Sequence, residues 1–222
     1  MKVGEFLRNR KAQVGIGTLI IFIAMILVAA VAAGVLLKTS GGLQQKATVT
    51  GEQATKEVST NIKVTNVVGY TNSTSNNRVD AIILTAQLAS GSGDVKYDDI
   101  VLTYQEGDTY VSGISYGGVL SLTDPLENVN STAATQNKAI FEIRRLKDKD
   151  ASGSENTVLE PGEIIEIVYW LVDNSGNELA TSNALEPDDQ FVITVQPKAG
   201  QTTTVKKTVP SVISQQYITE WG

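Results

Sequence analysis

Hydrophobic and polar positions divide the chain into three regimes. Residues 13–37, QVGIGTLIIFIAMILVAAVAAGVLL, contain no charged side chain and lie between Lys11 and Lys38. At about 1.5 Å per residue, a helix of this run reaches roughly 37 Å, enough to cross a hydrocarbon core of about 30 Å. The run is apolar on every side, unlike a surface helix that buries one stripe. Gly15, Gly17, Ala24, Ala29, Ala30, Ala32, Ala33 and Gly34 sit among Ile, Leu, Val, Phe22 and Met25. Small residues let helix backbones approach closely where no water drives them together.

After Lys38 the chain turns polar without losing helical character. Leu43, Ala47, Ala54 and Val58 recur at spacings of four, seven and four, roughly one helical face, which predicts a helix continuing to about Ser59. Gly41 and Gly42 each weaken a helix by about 1 kcal/mol relative to Ala, and allow either a bend there or the close approach of a neighbour. The whole rod would measure about 70 Å. From Asn61 the period becomes alternating. Strands are predicted over residues 62–70, 79–89, 100–105, 109–115, 139–145, 163–172, 190–196 and 202–209, with a last short one over 217–221. Gly, Asn and Asp turns separate them, and helix signals are absent. The expected architecture is α+β: a long N-terminal hydrophobic helix, then an antiparallel immunoglobulin-like β-sandwich. The predicted divisions are residues 1–12, 13–60 and 61–222.

Charge refines this picture. The 222 residues carry a formal net charge of −6. Lys2, Arg8, Arg10 and Lys11 face only Glu5 in the first twelve residues, a local balance of +3 that leaves −9 for the rest. So acidic a body repels nucleic acid, which is excluded as a partner. The chain has no Cys and no His. Disulfides, thiolate nucleophiles, Ser-His-Asp triads and the usual zinc ligands are therefore absent, and no catalytic or cofactor-binding residue is assigned. A basic peptide before the apolar run sets orientation, with the C-terminal bulk outside the cytoplasm. The small residues of VAAGVLLKTSGG leave ordinary signal-peptide cleavage after the run open, but the arrangement that fits better is a basic leader cut before the helix, which leaves the helix on the mature chain.

The acidic loop 146–163, LKDKDASGSENTVLEPGE, places Asp148, Asp150 and Ser152 at alternate positions, with Gly153 permitting a sharp turn. That spacing resembles the opening of a calcium loop. It departs from the EF-hand pattern at the twelfth position, which is Leu159 where a bidentate Glu belongs. A solvated acidic turn is the plainer alternative. Asn72-Ser73-Thr74 and Asn130-Ser131-Thr132 match the N-glycosylation pattern, as chance sequons also do. Asp188, Asp189, Glu155 and Glu160 are read as solvated turn carboxylates, because sequence supplies neither the separation nor the pocket that paired catalytic carboxylates need.

The segment from RNRKA through GIGTLI, FIAMILVAAVAAGVLL and TSGGLQQKA resembles the N-terminus of archaeal flagellins (archaellins), of the type IV pilin-like superfamily, over about forty residues without a gap. The resemblance implies a class III leader cut by a prepilin-peptidase-like enzyme between Ala12 and Gln13. The family often has Gly where this chain has Ala12. It further implies a filament-core helix bearing Gly15, Gly17, Phe22, Met25 and Gly34, and N-glycans at Asn72 and Asn130. A divalent-cation site, with calcium as the ion, would use Asp148, Asp150, Ser152 and Glu163.

The implied function is that of a structural subunit of the archaellum, the archaeal swimming filament, in a homo-oligomeric or mixed-archaellin helical assembly outside the cell. The precursor would insert transiently in the cytoplasmic membrane, and a separate ATPase and membrane platform would assemble it. A type IV-like pilus adhesin shares the leader and helix. A membrane-anchored surface binding protein shares only the anchor, and a cell-surface hydrolase would need working carboxylates.

Overall fold

The computed structural model describes residues 3–72, 77–120, 139–149, 156–172, 179 and 184–221, with the backbone alone for residues 3–13. Two compact units result, Met1–Gln53 and Ala54–Gly222.

The first element is one helix, α1 (Val3–Ser59). It starts at Val3, so the basic peptide ahead of the apolar run is helical too, and it continues unbroken through Gly41 and Gly42. Three Thr hydroxyls bond back to the preceding turn: Thr18 to the Gly15 carbonyl at 2.9 Å, Thr39 to Val35 at 2.8 Å and Thr48 to Gln44 at 3.0 Å. Each hydroxyl is thereby satisfied inside its own helix, as an apolar surround requires.

The helix stops in a built cap. Thr60 N–H still reaches the Lys56 carbonyl at 2.9 Å. The buried Ser92 hydroxyl donates to the Ser59 carbonyl at 3.1 Å and accepts the Asn61 N–H at 3.1 Å. Gln201 N–H donates to the Thr60 carbonyl at 2.9 Å. Loops far apart in sequence thus satisfy the orphan groups where helix becomes strand.

The second unit contains β1 (Ile62–Tyr70), β2 (Ala81–Leu88), β3 (Val95–Lys96), a single 3-10 turn Tyr97–Asp99, β4 (Ile100–Glu106), β5 (Thr109–Leu120), β6 (Ile140–Lys147), β7 (Val158–Leu159), β8 (Ile164–Trp170), β9 (Gln190–Pro197), β10 (Thr203–Thr208) and β11 (Tyr217–Ile218). Nine strands form one sheet in the order β10-β9-β4-β5-β6-β8-β2-β1-β11, and β3 pairs with β7 apart from it. All pairs are antiparallel except β5–β6.

The sheet folds over at β5. Up to Ile114 this strand pairs with β4, and from Ser115 it pairs with β6. Gly113 sits at the changeover with φ +74°, a conformation glycine adopts without strain. Just beyond, a Cβ at Gly117 would lie 2.5 Å from Ile140 Cδ1, so the glycine leaves room for the Ile140 side chain of the parallel neighbour. Bends of this kind let one strand serve both layers of a sandwich.

Ring contacts show that the halves face each other. Tyr104 of β4 meets Tyr169 of β8 with centroids 5.4 Å apart, and Phe191 of β9 meets Trp221 at 5.3 Å. Neither pair comes from neighbouring strands. Leu102, Ile114, Phe141, Ile143, Ile167 and Ile193 fill the shared core. A smaller cluster around Tyr70, Ile83, Val168 and Trp170 covers the other side of β1, β2 and β8, where the buried Glu142 carboxylate accepts the Trp170 indole N–H at 3.1 Å.

The strands depart from the expected ones at several points. β5 extends to Leu120, because Gly113, Gly117 and Gly118 mask the alternation that marks a strand. The β5–β6 pair is parallel, unlike the antiparallel sheet expected, since alternation carries no information on partner direction. β3 and β7 are too short to register as periodic segments. The last strand is Tyr217–Ile218, shorter than 217–221; Trp221 instead folds back, its indole N–H on the Val67 carbonyl at 2.8 Å.

Candidate functional site

The feature with no structural use inside its own unit is the surface of α1. Every side chain from residue 14 to 58 is exposed. Ile16, Ile20, Phe22, Met25, Val31 and Leu37 are between 61% and 75% exposed. Water-facing aliphatic side chains in this density are the signature of an interaction surface. The helix is long and apolar enough to cross a membrane, with a mean hydropathy of 3.1 in its most apolar stretch. A Cβ at Gly15, Gly17 or Gly34 would meet nothing within 4 Å, so these glycines are open shallow points on the rod. The predicted core-helix residues Gly15, Gly17, Phe22, Met25 and Gly34 all lie on this surface. Ala12 and Gln13 fall inside the helix, where the backbone alone is described.

The acidic loop is arranged differently from a ligand set. Asp148 Oδ2 pairs with Arg145 at 2.9 Å. Glu163, 2% exposed, accepts the Lys149 N–H at 3.1 Å through one oxygen and the Glu160 N–H at 2.9 Å through the other. Lys149 Nζ lies 3.2 Å from Glu160. Both described carboxylates are thus held by protein donors. Asp150 and Ser152 lie outside the described residues. No group of three or more metal-ligating side chains occurs among the described residues. What the sequence could not reveal is the partner of each acid, since backbone amides leave no trace in side-chain spacing.

Of the two sequons, Asn72 is exposed at the end of β1, its backbone N–H held by Asp80 at 2.8 Å. Asn130 lies outside the described residues. The turn carboxylates act as loop fasteners: Asp188 accepts the Ser211 hydroxyl at 2.6 Å and Asp189 the Glu186 N–H at 2.8 Å. Glu155 lies outside the described residues.

A helix apolar all round over residues 14–37, joined to an acidic β-domain with its own core, belongs to the class of chains that present an apolar rod for another apolar surface to cover. The profile of archaeal-type flagellin matches residues 12–207. Flagellin B1 of Methanocaldococcus jannaschii is 36% identical over 98% of this chain and 99% of its own length. Flagellin B1 of Methanococcus voltae is 32% identical over 98% and 99%. The archaeal flagellum of Methanospirillum hungatei strain JF1 shares the fold with a TM-score of 0.62 at 16% identity, over 92% of this chain and 98% of that one. The chain belongs to the archaeal-type flagellin family and is a structural filament subunit for motility.

Proposed function

We propose that α1, freed of residues 1–12, packs among copies of itself to form the core of the filament, while the β-domains make its outer wall. The observation that carries this reading is the unbroken exposed apolar surface of residues 14–37. Such a surface needs either lipid or identical neighbours, at about 25 cal/mol for each Å² covered. The precursor first rests in the cytoplasmic membrane with its cationic end inside. A prepilin-peptidase-like enzyme then cuts between Ala12 and Gln13, and an ATPase with its membrane platform moves the helix from lipid into the bundle. Contacts between non-equivalent faces of successive subunits leave the assembly open-ended.

N-terminal sequencing and imaging of filaments sheared from cells test this reading. The expected sequence begins QVGIGTLI. Filaments that lack this polypeptide, or whose subunits retain residues 1–12, overturn it.

Two modifications belong to the same proposal. Asn72 is supported as a glycan acceptor by its exposure, and intact mass of the mature subunit decides, with the bare polypeptide mass excluding it. Calcium at the 148–163 loop has weaker support, because Asp148 and Glu163 already have protein partners. Identical melting curves in calcium and in chelator remove it.

A further inference from the structure

The apolar run of α1 holds no ion to balance a charge placed at its head. From Gln13 to Leu37 no side chain is ionisable, and Thr18 is the one hydroxyl. That hydroxyl donates to the Gly15 carbonyl at 2.9 Å. Every side chain from 14 to 37 is exposed and open to neighbouring helices. The first charge beyond Gln13 is Lys38, and the first carboxylate is Glu52. At about 1.5 Å per residue, the helix between Gln13 and Glu52 spans about 58 Å. The shortage is local. Residues 54–222 hold 22 acidic and 12 basic side chains, a net −10, so carboxylates are missing from this stretch and not from the chain.

A cut before Gln13 puts a cation at the head of this run. The backbone is helical from Val3, so the cut severs a continuous helix and frees an α-ammonium at its new N-terminus. Positive charge has the wrong sign there, because the first N–H groups of a helix form the positive end of its dipole. In an open-ended bundle every N-terminus except those at the tip lies among other copies, whose corresponding turns are equally free of carboxylate. An ammonium desolvated without a counter-ion is strongly disfavoured. Glutamine is a residue type that can dispose of this charge by its own chemistry.

We propose that Gln13, once it heads the chain, closes on itself to a pyroglutamyl residue. This rests on the cut between Ala12 and Gln13 and on the helix-core reading above. The neutral α-amine attacks Cδ of its own side-chain carboxamide. A bond forms between the amine nitrogen and Cδ, the bond from Cδ to the amide nitrogen breaks, and ammonia leaves with a proton taken from the amine. No oxidant, reductant or second substrate enters. An α-amine of pKa about 7.7–8.0 supplies the neutral, reacting form near neutral pH. The product is a γ-lactam with no group left to protonate, and it enters the bundle uncharged. Ala at this position would have to bring its ammonium along or give up the proton.

Subunits of freshly sheared filaments are denatured and treated at once with deuterated formaldehyde and cyanoborohydride. Any free α-amine becomes a tertiary amine that can no longer close, so ring formation during handling is blocked. Tandem mass spectrometry then reads the N-terminal peptide. The expected peptide begins QVGIGTLI, is lighter by one ammonia and carries no label on the Gln13 nitrogen. A labelled amine at Gln13 overturns the proposal and points to a counter-ion from a neighbouring copy, Glu52 being the first available. Gln13→Ala, with removal of residues 1–12 checked by mass, keeps its amine. Its filaments should dissociate at least about tenfold faster at pH 6 than at pH 9, because protonation of the amine opposes its burial, against less than about threefold for wild type. Equal pH dependence in the two overturns the inferred loss of charge from the bundle. Subunits that retain residues 1–12, or that begin elsewhere than at Gln13, count against the cut itself, so the two failures are distinct.

Discussion

At the scale of single residues, buried tyrosines set the alkaline limit of the β-domain. Tyr97 and Tyr104 are fully buried, and their hydroxyls have no hydrogen-bond partner among the described residues. Burial, which disfavours the phenolate, pushes Tyr97 from 10.0 up to about 12, and pushes Tyr104 up further. Above pH 10 the unfolded chain therefore releases these protons while the folded chain keeps them. Stability is full below that pH and falls as pH rises from about 10 to 12. The double variant Tyr97→Phe/Tyr104→Phe should show a shallower loss than wild type across this window, measured by chemical denaturation of the detergent-solubilised chain. At neutral pH, Tyr104→Phe alone should stabilise by up to about 1 kcal/mol, because it removes an unsatisfied buried hydroxyl and keeps the ring against Tyr169. A loss in melting temperature would contradict this. Gly200 makes the opposite case. Its φ is +141°, and an added Cβ would lie 2.5 Å from the Thr60 carbonyl oxygen at the helix cap. Backbone cannot yield as a side-chain tip does, so Gly200→Ala should lower stability by about 2 kcal/mol or more.

At the scale of elements, legibility followed periodicity. Residues 13–37 announced themselves because no soluble surface helix lacks a polar side. Strands rich in β-branched residues, such as 62–70 and 190–196, were readable to within a residue at either end. Strand β5 was readable only to Ser115, because its continuation contains the glycines that the corner and the close approach of Ile140 require. The loop carboxylates were visible as a cluster, yet their roles were not. Glu163 fastens two backbone amides and Asp148 neutralises Arg145, and both partners are set by tertiary placement. For α1 the sequence signal and the structural one coincide, which makes its small-residue texture testable. Ala33→Glu should abolish filaments in sheared-cell preparations, since a carboxylate facing packed helices must be desolvated without a partner. The β-domain transition of the detergent-solubilised variant should stay within about 0.5 kcal/mol of wild type. Normal filaments from this variant would mean that residue 33 does not face the bundle.

At the scale of the whole molecule, two forces oppose each other during assembly, and salt separates them. Burial of the helix surface is driven by water exclusion and strengthens as salt rises. Crowding of domains carrying −10 each is a repulsion that salt screens, the Debye length shrinking from about 30 Å at 0.01 M to about 3 Å at 1 M. Both effects have the same sign, so raising sodium chloride over this range should make filaments more resistant to shear and to thermal dissociation. An assembly held mainly by ion pairs would do the reverse. Detergent acts on the other term: it supplies an apolar surround that competes with neighbouring helices, and should release subunits with α1 intact at salt concentrations where filaments are otherwise stable. The measurement is sedimentation of filaments across the salt series, with and without a non-ionic detergent. Dissolution at 1 M salt without detergent would show that charge pairing, and not the apolar helix, holds the subunits together.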